Sequence, residues 1–236
     1  MTENPTRRNF LETFAAAAVL TLAPGVTLVQ AAPASSGKRW GLLIDSNKCS
    51  KDCTACAVSC KAEMGLSGFN RPATDAQYLR KIELKDKTTG KVRSLPVMCQ
   101  HCANPPCVDV CPTGASMKRA DGIVLVDRHI CIGCRYCMMA CPYKARSFAH
   151  EDIKDQKTNN PRGKGTVEAC TLCVHRIDAG KLPACVEACA ATGKGAMLFG
   201  DLNDKTSAIA KALASLGGTA IRADLGTEPG VRYLGL

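Results

Sequence analysis

The chain has 236 residues, enough for one good-sized domain or two small ones. Aromatic residues make up only 4%, which excludes a large aromatic core, while the sixteen cysteines are about 7% of the chain, above ordinary usage but below a small disulfide scaffold. The formal charge of +10 comes without a basic run or interleaved aromatics, which argues against a nucleic-acid partner.

In chain order, residues 1–34 read as an export signal. Thr6-Arg7-Arg8-Asn9-Phe10-Leu11 resembles the twin-arginine signature. An Ala-rich apolar segment, Phe14 to Val29, follows and is broken by Pro24 and Gly25. Ala32-Pro33-Ala34 offers a small-residue cleavage site. The segment is too short and weakly apolar for a spanning helix. Twin-arginine export carries folded, cofactor-loaded proteins, so the expected destination is the periplasm. No other stretch reaches the run of about 18 apolar residues that spans a bilayer, so the mature protein is expected to meet the membrane through another subunit.

Residues 35–39 form a polar linker and Trp40 to Asp45 a short strand. The first cysteine group is Cys49, Cys53, Cys56 and Cys60, followed by a short helix, Ala55 to Met64, that Gly65 stops. Residues 66–77 read as loop. Tyr78 to Leu84 and Lys91 to Met98 read as a hairpin turned by Lys87-Thr88-Thr89-Gly90. The second group is Cys99, Cys102, Cys107 and Cys111, with Pro105-Pro106 stiffening its longer loop. Gly122 to Val126 is a strand leading into the third group.

That third group, Cys131-x2-Cys134-x2-Cys137-x3-Cys141-Pro142, has the spacing by which bacterial ferredoxins hold a [4Fe–4S] cluster. Three thiolates on a tight loop reach three irons of one cube. The fourth Cys is expected to open a short helical turn pointing to a second cube, with Pro142 ending that turn. Residues 150–168 are polar and read as irregular surface. The fourth group is Cys170, Cys173, Cys185 and Cys189. Met197 to Gly200 reads as a strand. A helix with Asp204 as cap and Ile209, Leu213 and Leu216 as apolar positions ends at Gly217-Gly218. The tail from Ile221 to Leu236 is expected to lie extended on the surface.

Exported chains with an even Cys count are often disulfide-bonded, and paired C-x-x-C groups often bind zinc. Four complete quartets, two of them ending in Cys-Pro, favour clusters over both. Each oxidised cube with four thiolates carries about −2, so four would carry about −8 and largely offset the basic surplus. There is no C-x-x-C-H haem motif. His101, His129, His150 and His175 are scattered and read as structural or surface residues. Arg135 and Tyr136, between ligands, are expected to pack on or neutralise a cluster.

The chain resembles the ferredoxin-like iron–sulfur subunits of membrane-associated respiratory complexes, whose relatives serve polysulfide reductases, formate dehydrogenases and hydrogenases. The residues that carry this are Asp52 to Cys56, Cys99 to Ala115, Asp121 to Asp127, Cys131 to Ala145 and Phe199 to Asp204. The longer first quartet, the signal and the lack of a C-terminal membrane helix look most like the subunit that serves the DsrMKJOP complexes of sulfur-metabolising prokaryotes. The resemblance implies an α+β fold of two interleaved bacterial-ferredoxin-like lobes with short β-hairpins and short helices. Residues 40–65 and 166–200 would form the outer lobe, 78–149 the inner lobe, and 201–236 a C-terminal helix and extended tail.

In two-cluster ferredoxins the fourth Cys of each run ligates the other cluster. Carried over, this implies four [4Fe–4S] clusters. The first would be held by Cys49, Cys53, Cys56 and Cys189, and the second by Cys60, Cys170, Cys173 and Cys185. Cys99, Cys102, Cys107 and Cys141 would hold the third, and Cys111, Cys131, Cys134 and Cys137 the fourth. The function implied is an electron relay with no catalytic residue, between an integral membrane quinone-interacting subunit and a multihaem cytochrome c or other redox subunit. The alternatives are an iron–sulfur subunit of a molybdopterin oxidoreductase or hydrogenase and, against four complete quartets, an iron–sulfur enzyme with its own active site.

Overall fold

The computed structural model describes residues 37–71, 73–154 and 156–236, so the export signal expected at 1–34 lies outside the described residues. The fold is α+β, built from short strands and short helices around the cysteine loops. Strand β1 (Trp40–Asp45) is the centre of a three-stranded sheet. It pairs antiparallel with β8 (Met197–Asp201) and parallel with β9 (Val231–Leu234). Leu42 and Ile44 are buried there, and Trp40 stacks on Phe199 with ring centroids 5.1 Å apart. A chain segment near the start is thereby fastened to two near the end.

Among the described residues, three two-stranded ribbons complete the strands. β2 (Leu79–Lys85) and β3 (Val92–Met98) form the expected hairpin, with Leu79 opposite Met98 and Leu84 opposite Arg93. Its turn needs Gly90 at φ +70°, and Asp86 Oδ1 accepts from the N–H groups of Thr88 and Thr89. β4 (Ser116–Lys118) pairs with β5 (Val124–Val126), and β6 (Arg146–Phe148) with β7 (Val167–Ala169). The helices are α1 (Ala55–Met64), α2 (Pro106–Asp109), α3 (Tyr136–Ala140), α4 (Val174–Asp178), α5 (Ala184–Ala191) and α6 (Ala208–Leu216). Among the described residues no helix is long and apolar enough to cross a membrane.

Outside the cysteine groups, the structure corrects the sequence reading at three places. The tail does not lie on the surface: β9 joins β1, with Val231 1% and Tyr233 0% exposed. Its alternation is only four residues long, and pairing with β1 decides its fate. Helix α6 is capped by Ser207, whose Oγ accepts from Ala210 N at 3.2 Å, because Asp204 is used by the preceding turn, accepting from Thr206 N at 2.8 Å. The segment 150–168 is not all surface. Asn160, Arg162, Thr166 and Glu168 are buried, and Arg162 Nε and Nη2 grip the two Glu168 oxygens at 2.9 and 3.0 Å. A bidentate pair hides both charges, which is why the segment reads as polar yet packs inside.

Two buried groups of apolar residues form the core. One joins Leu42, Ile44, Leu95 and Tyr233 to Cys56, Cys60, Cys173 and Cys185. The other joins Val124, Tyr143, Ala145 and Val167 to Cys99, Cys102, Cys107, Cys137 and Cys141. Thiols are thus core residues in both, which accounts for a stable interior with so few aromatics.

Candidate metal centres

Helices α1 and α5 pack together, and each carries two cysteines four residues apart: Cys56 and Cys60 on α1, Cys185 and Cys189 on α5. An i, i+4 pair lies on one helix face, one turn apart. The helices meet so that Cys189 bears on the Cys56 thiol and Cys60 on the Cys185 thiol, each adding to the rise that burial causes. Each helix therefore gives one thiol to each of two sites. One cavity is lined by Cys49, Cys53, Cys56 and Cys189, with apolar walls from Ile44, Pro96, Ala196 and Met197. Lys81 Nζ ties down its loop by donating to the carbonyls of Ser50, Lys51 and Cys53.

The second outer gathering is Cys60, Cys170, Cys173 and Cys185. Burial pushes the Cys60 thiol up to about 12, and Cys173 and Cys56 add to it. Burial holds Cys170 well above its ordinary value, with Cys60, Cys173 and Cys185 as its nearest contributors. The acid Glu63 beside this gathering is engaged by His175 Nε2 at 2.7 Å and Arg176 at 3.1 Å.

In the inner half, one cavity is lined by Cys99, Cys102, Cys107 and Cys141, together with Pro105, Pro106, Val124, Tyr143 and Arg146. Burial pushes Cys99 up to about 12 and Cys102 up to about 11. Cys141 reaches this cavity because a residue before proline is driven out of helical geometry: it leaves the end of α3 at φ −73°, ψ 111°, ahead of Pro142. The fourth Cys of this run therefore follows the helical turn instead of opening it, and the turn carries the third, Cys137. Cys111 likewise stands beyond the end of α2. Cys111 is a neighbour of Cys137, which ends the loop carrying Cys131 and Cys134. Burial raises the Cys111 thiol, but hydrogen bonds from Ser116, Thr113 and Ala115 outweigh it and bring the net shift down. Gly133, at φ +69°, permits that loop to run against the Gly165 carbonyl, which any Cβ would strike.

Side chains around the inner cavity were harder to foresee. The Arg135 guanidinium lies 5.1 Å over the Phe148 ring, and Tyr136 beside it is exposed. A cation that touches sulfur is Arg146, with Nη2 donating to Cys107 Sγ at 3.0 Å. His101 is buried, and its Nδ1 accepts from Val124 N at 3.1 Å. Burial, with Arg39 and Arg146 nearby, drives its pKa down to about 3, so it is neutral. Arg39 bridges the carbonyls of Gly122 and His101 at 3.0 and 2.7 Å. His175 bonds Glu63, and His150 packs edge-on against Phe148 at 4.9 Å, both structural roles.

All sixteen cysteines are free. Among the described residues no three His, Cys, Asp or Glu side chains converge on one point as ligands of a single ion do. Eight of the thiols instead ring two cavities, four to each, with apolar residues in the walls. That arrangement fits a cube, which spreads its four thiolates over four irons.

A family described as a 4Fe-4S dicluster domain matches residues 90–202. The chain is 43% identical over 223 residues to the Hdr-like menaquinol oxidoreductase iron-sulfur subunit 1 of Archaeoglobus fulgidus, covering 83% of each chain. It is 42% identical over 200 residues to a tetrathionate reductase subunit of Salmonella typhimurium, covering 84% of this chain and 73% of that one. Likeness to a protein NrfC homolog of Haemophilus influenzae, 33% over 230 residues, covers 97% of this chain and 94% of that one. With thiol-lined cavities built for cubes and relatives of this kind along most of its length, the chain belongs to the [4Fe–4S] electron-transfer subunits of oxidoreductase complexes.

Proposed function

We propose that the chain relays electrons through four [4Fe–4S] clusters arranged as two interleaved lobes, with the last ligands of paired quartets exchanged. The observation that carries this reading is the gathering of cysteines from distant segments, Cys189 with Cys49, Cys53 and Cys56, and Cys141 with Cys99, Cys102 and Cys107. When bound, each cluster would supply a one-electron redox centre. The chain's own residues hold it, exclude water through apolar walls, and set the local field. Each of these two cavities is ringed by four thiols, a complete ligand set for a cube, which supports transfer over catalysis.

On the partner side, Ile132, Tyr136 and Met139 are exposed around Cys134, itself exposed where the other cysteines are at least partly buried. An apolar rim at an accessible thiol fits a partner subunit that covers it. The likeness to a menaquinol oxidoreductase subunit and the longer first quartet favour a DsrO-type protein. It would sit between a quinone-interacting membrane subunit and a multihaem cytochrome c or other redox subunit. The likeness to a tetrathionate reductase subunit favours a rival, the iron–sulfur subunit of a molybdopterin oxidoreductase, which differs in partner and not in the chain's chemistry. Co-purification from native membranes separates them: a molybdopterin catalytic subunit in place of a quinone-interacting one selects the rival.

Protein purified anaerobically should hold about sixteen irons and sixteen acid-labile sulfides and bleach on reduction. Zinc without sulfide, or eight irons, would overturn the four-cluster reading. Twin-arginine export to the periplasm is part of the proposal and rests on Arg7 and Arg8. Replacing both with Lys should leave loaded protein in the cytoplasm, and unchanged export of that variant rejects the route.

A further inference from the structure

We propose that Arg146 is a positioning residue that couples the two inner redox sites and raises the reduction potential of both. The inference rests on the four-cluster reading. Arg146 opens β6 and is 6% exposed. Its Nη2 donates to Cys107 Sγ at 3.0 Å and to Ser116 Oγ at 2.7 Å. Cys107 belongs to the cavity of Cys99, Cys102, Cys107 and Cys141, and Arg146 forms part of the same wall. Ser116 reaches the other site, because its backbone N–H donates to Cys111 Sγ at 3.3 Å. Cys111 in turn neighbours Cys137. One guanidinium thus touches Cys107 of one set, and it bears on the other set both directly at Cys137 and through Ser116 at Cys111.

A second observation points to the sites themselves. Arg146 Nη1 is buried without a hydrogen-bond partner. Leaving a buried donor unmade costs roughly 1–3 kcal/mol, more when it is charged. Anionic sulfur on either side is the chemistry that offsets that cost. A guanidinium is not deprotonated in proteins, so the side chain carries a fixed positive charge between the two sets of thiols.

Reduction of a site adds one electron and one unit of negative charge; no bond forms or breaks. In a titration dithionite supplies the electron and is itself oxidised. A fixed positive charge hydrogen-bonded to the ligand sulfur favours the more negative state, and burial keeps the effect from being screened. The thiols on which Arg146 bears most, Cys107, Cys137 and Cys99, all belong to the inner sites, so the effect is confined to that pair.

The test is an EPR-monitored redox titration of the loaded full chain, with signals assigned to sites by cysteine variants. Arg146→Gln should lower the equilibrium constant for reducing each inner site about tenfold, which is about 59 mV for one electron. Arg146→Lys keeps the charge but loses the fork, so a smaller drop is expected. Both variants should keep the outer potentials and full iron. Unmoved inner potentials in a loaded variant overturn the proposal, as does an equal shift of all four sites. If Arg146→Gln loses iron, Arg146→Lys decides by the same readings. Loss of iron in both makes Arg146 merely structural and also overturns it. A wild-type iron content below sixteen would instead count against the four-cluster reading.

Discussion

A chain shortened to end at Gly226 should fail to hold its inner half together, and Tyr233→Ala should lower the melting temperature by roughly 6–20 °C. The tail is a brace for the second-quartet loop. Glu228 and Thr227 carbonyls accept from Ala103 N and Asn104 N at 2.9 and 3.2 Å, and Thr227 Oγ1 meets the Tyr143 hydroxyl at 2.6 Å. Gly230 N donates to the Gln100 carbonyl at 2.8 Å, and the Tyr233 hydroxyl joins Gln100 Nε2 and the Pro96 carbonyl, each at 3.2 Å. Burial of Val231 and Tyr233 contributes about 1.5–3 kcal/mol each. Truncation also leaves one edge of β1 unpaired. Those losses approach the roughly 5–15 kcal/mol that holds a domain folded. The tyrosine variant alone should lose about 3–5 kcal/mol. Iron content and thermal unfolding, measured anaerobically, check both. A shortened chain with full iron and an unchanged melting point would make the tail the surface segment that its sequence suggests.

What the sequence reveals is what depends on local chemistry. The four cysteine groups are legible from spacing, and helix α1 from its run to Gly65, which takes φ +62° and lets Leu66 N reach the Lys61 carbonyl at 2.9 Å. The β2–β3 hairpin is legible from two half-apolar runs and one turn. Strands β4, β6 and β7 are three residues each, too short for any period, and exist because a partner strand lies beside them. β9 escapes notice for the same reason.

The neighbours of the thiols were less visible than the thiols. Arg135 sits between ligands in sequence but turns outward onto Phe148, because its left-handed backbone at φ +63° starts α3. Arg146 follows the last Cys of its run by five residues and reads as one more solvated charge in a basic chain. Only the β6–β7 pairing and the burial of Ser116 bring it to sulfur. The gathering of cysteines from distant segments also has two local causes. Proline ejects Cys141 from α3, whereas Cys60 and Cys189, with no proline after them, stay helical and meet the other group because α1 and α5 pack against each other.

The exchange of last ligands is tested most directly by comparing three single variants of the loaded chain, Cys111→Ser, Cys134→Ser and Cys102→Ser, by EPR and iron content. Cys111 lies in the second quartet, yet its thiol neighbours Cys137 of the third and is held there by Ser116 N and Thr113 Oγ1 at 3.3 and 3.7 Å. Each variant removes one of four thiolates from a site, so loss or conversion of a whole cluster is expected, up to about four irons of sixteen. The account predicts that Cys111→Ser alters the same signal as Cys134→Ser and leaves the signal lost in Cys102→Ser intact. If Cys111→Ser instead matches Cys102→Ser, each quartet closes on itself and the exchange of ligands is contradicted.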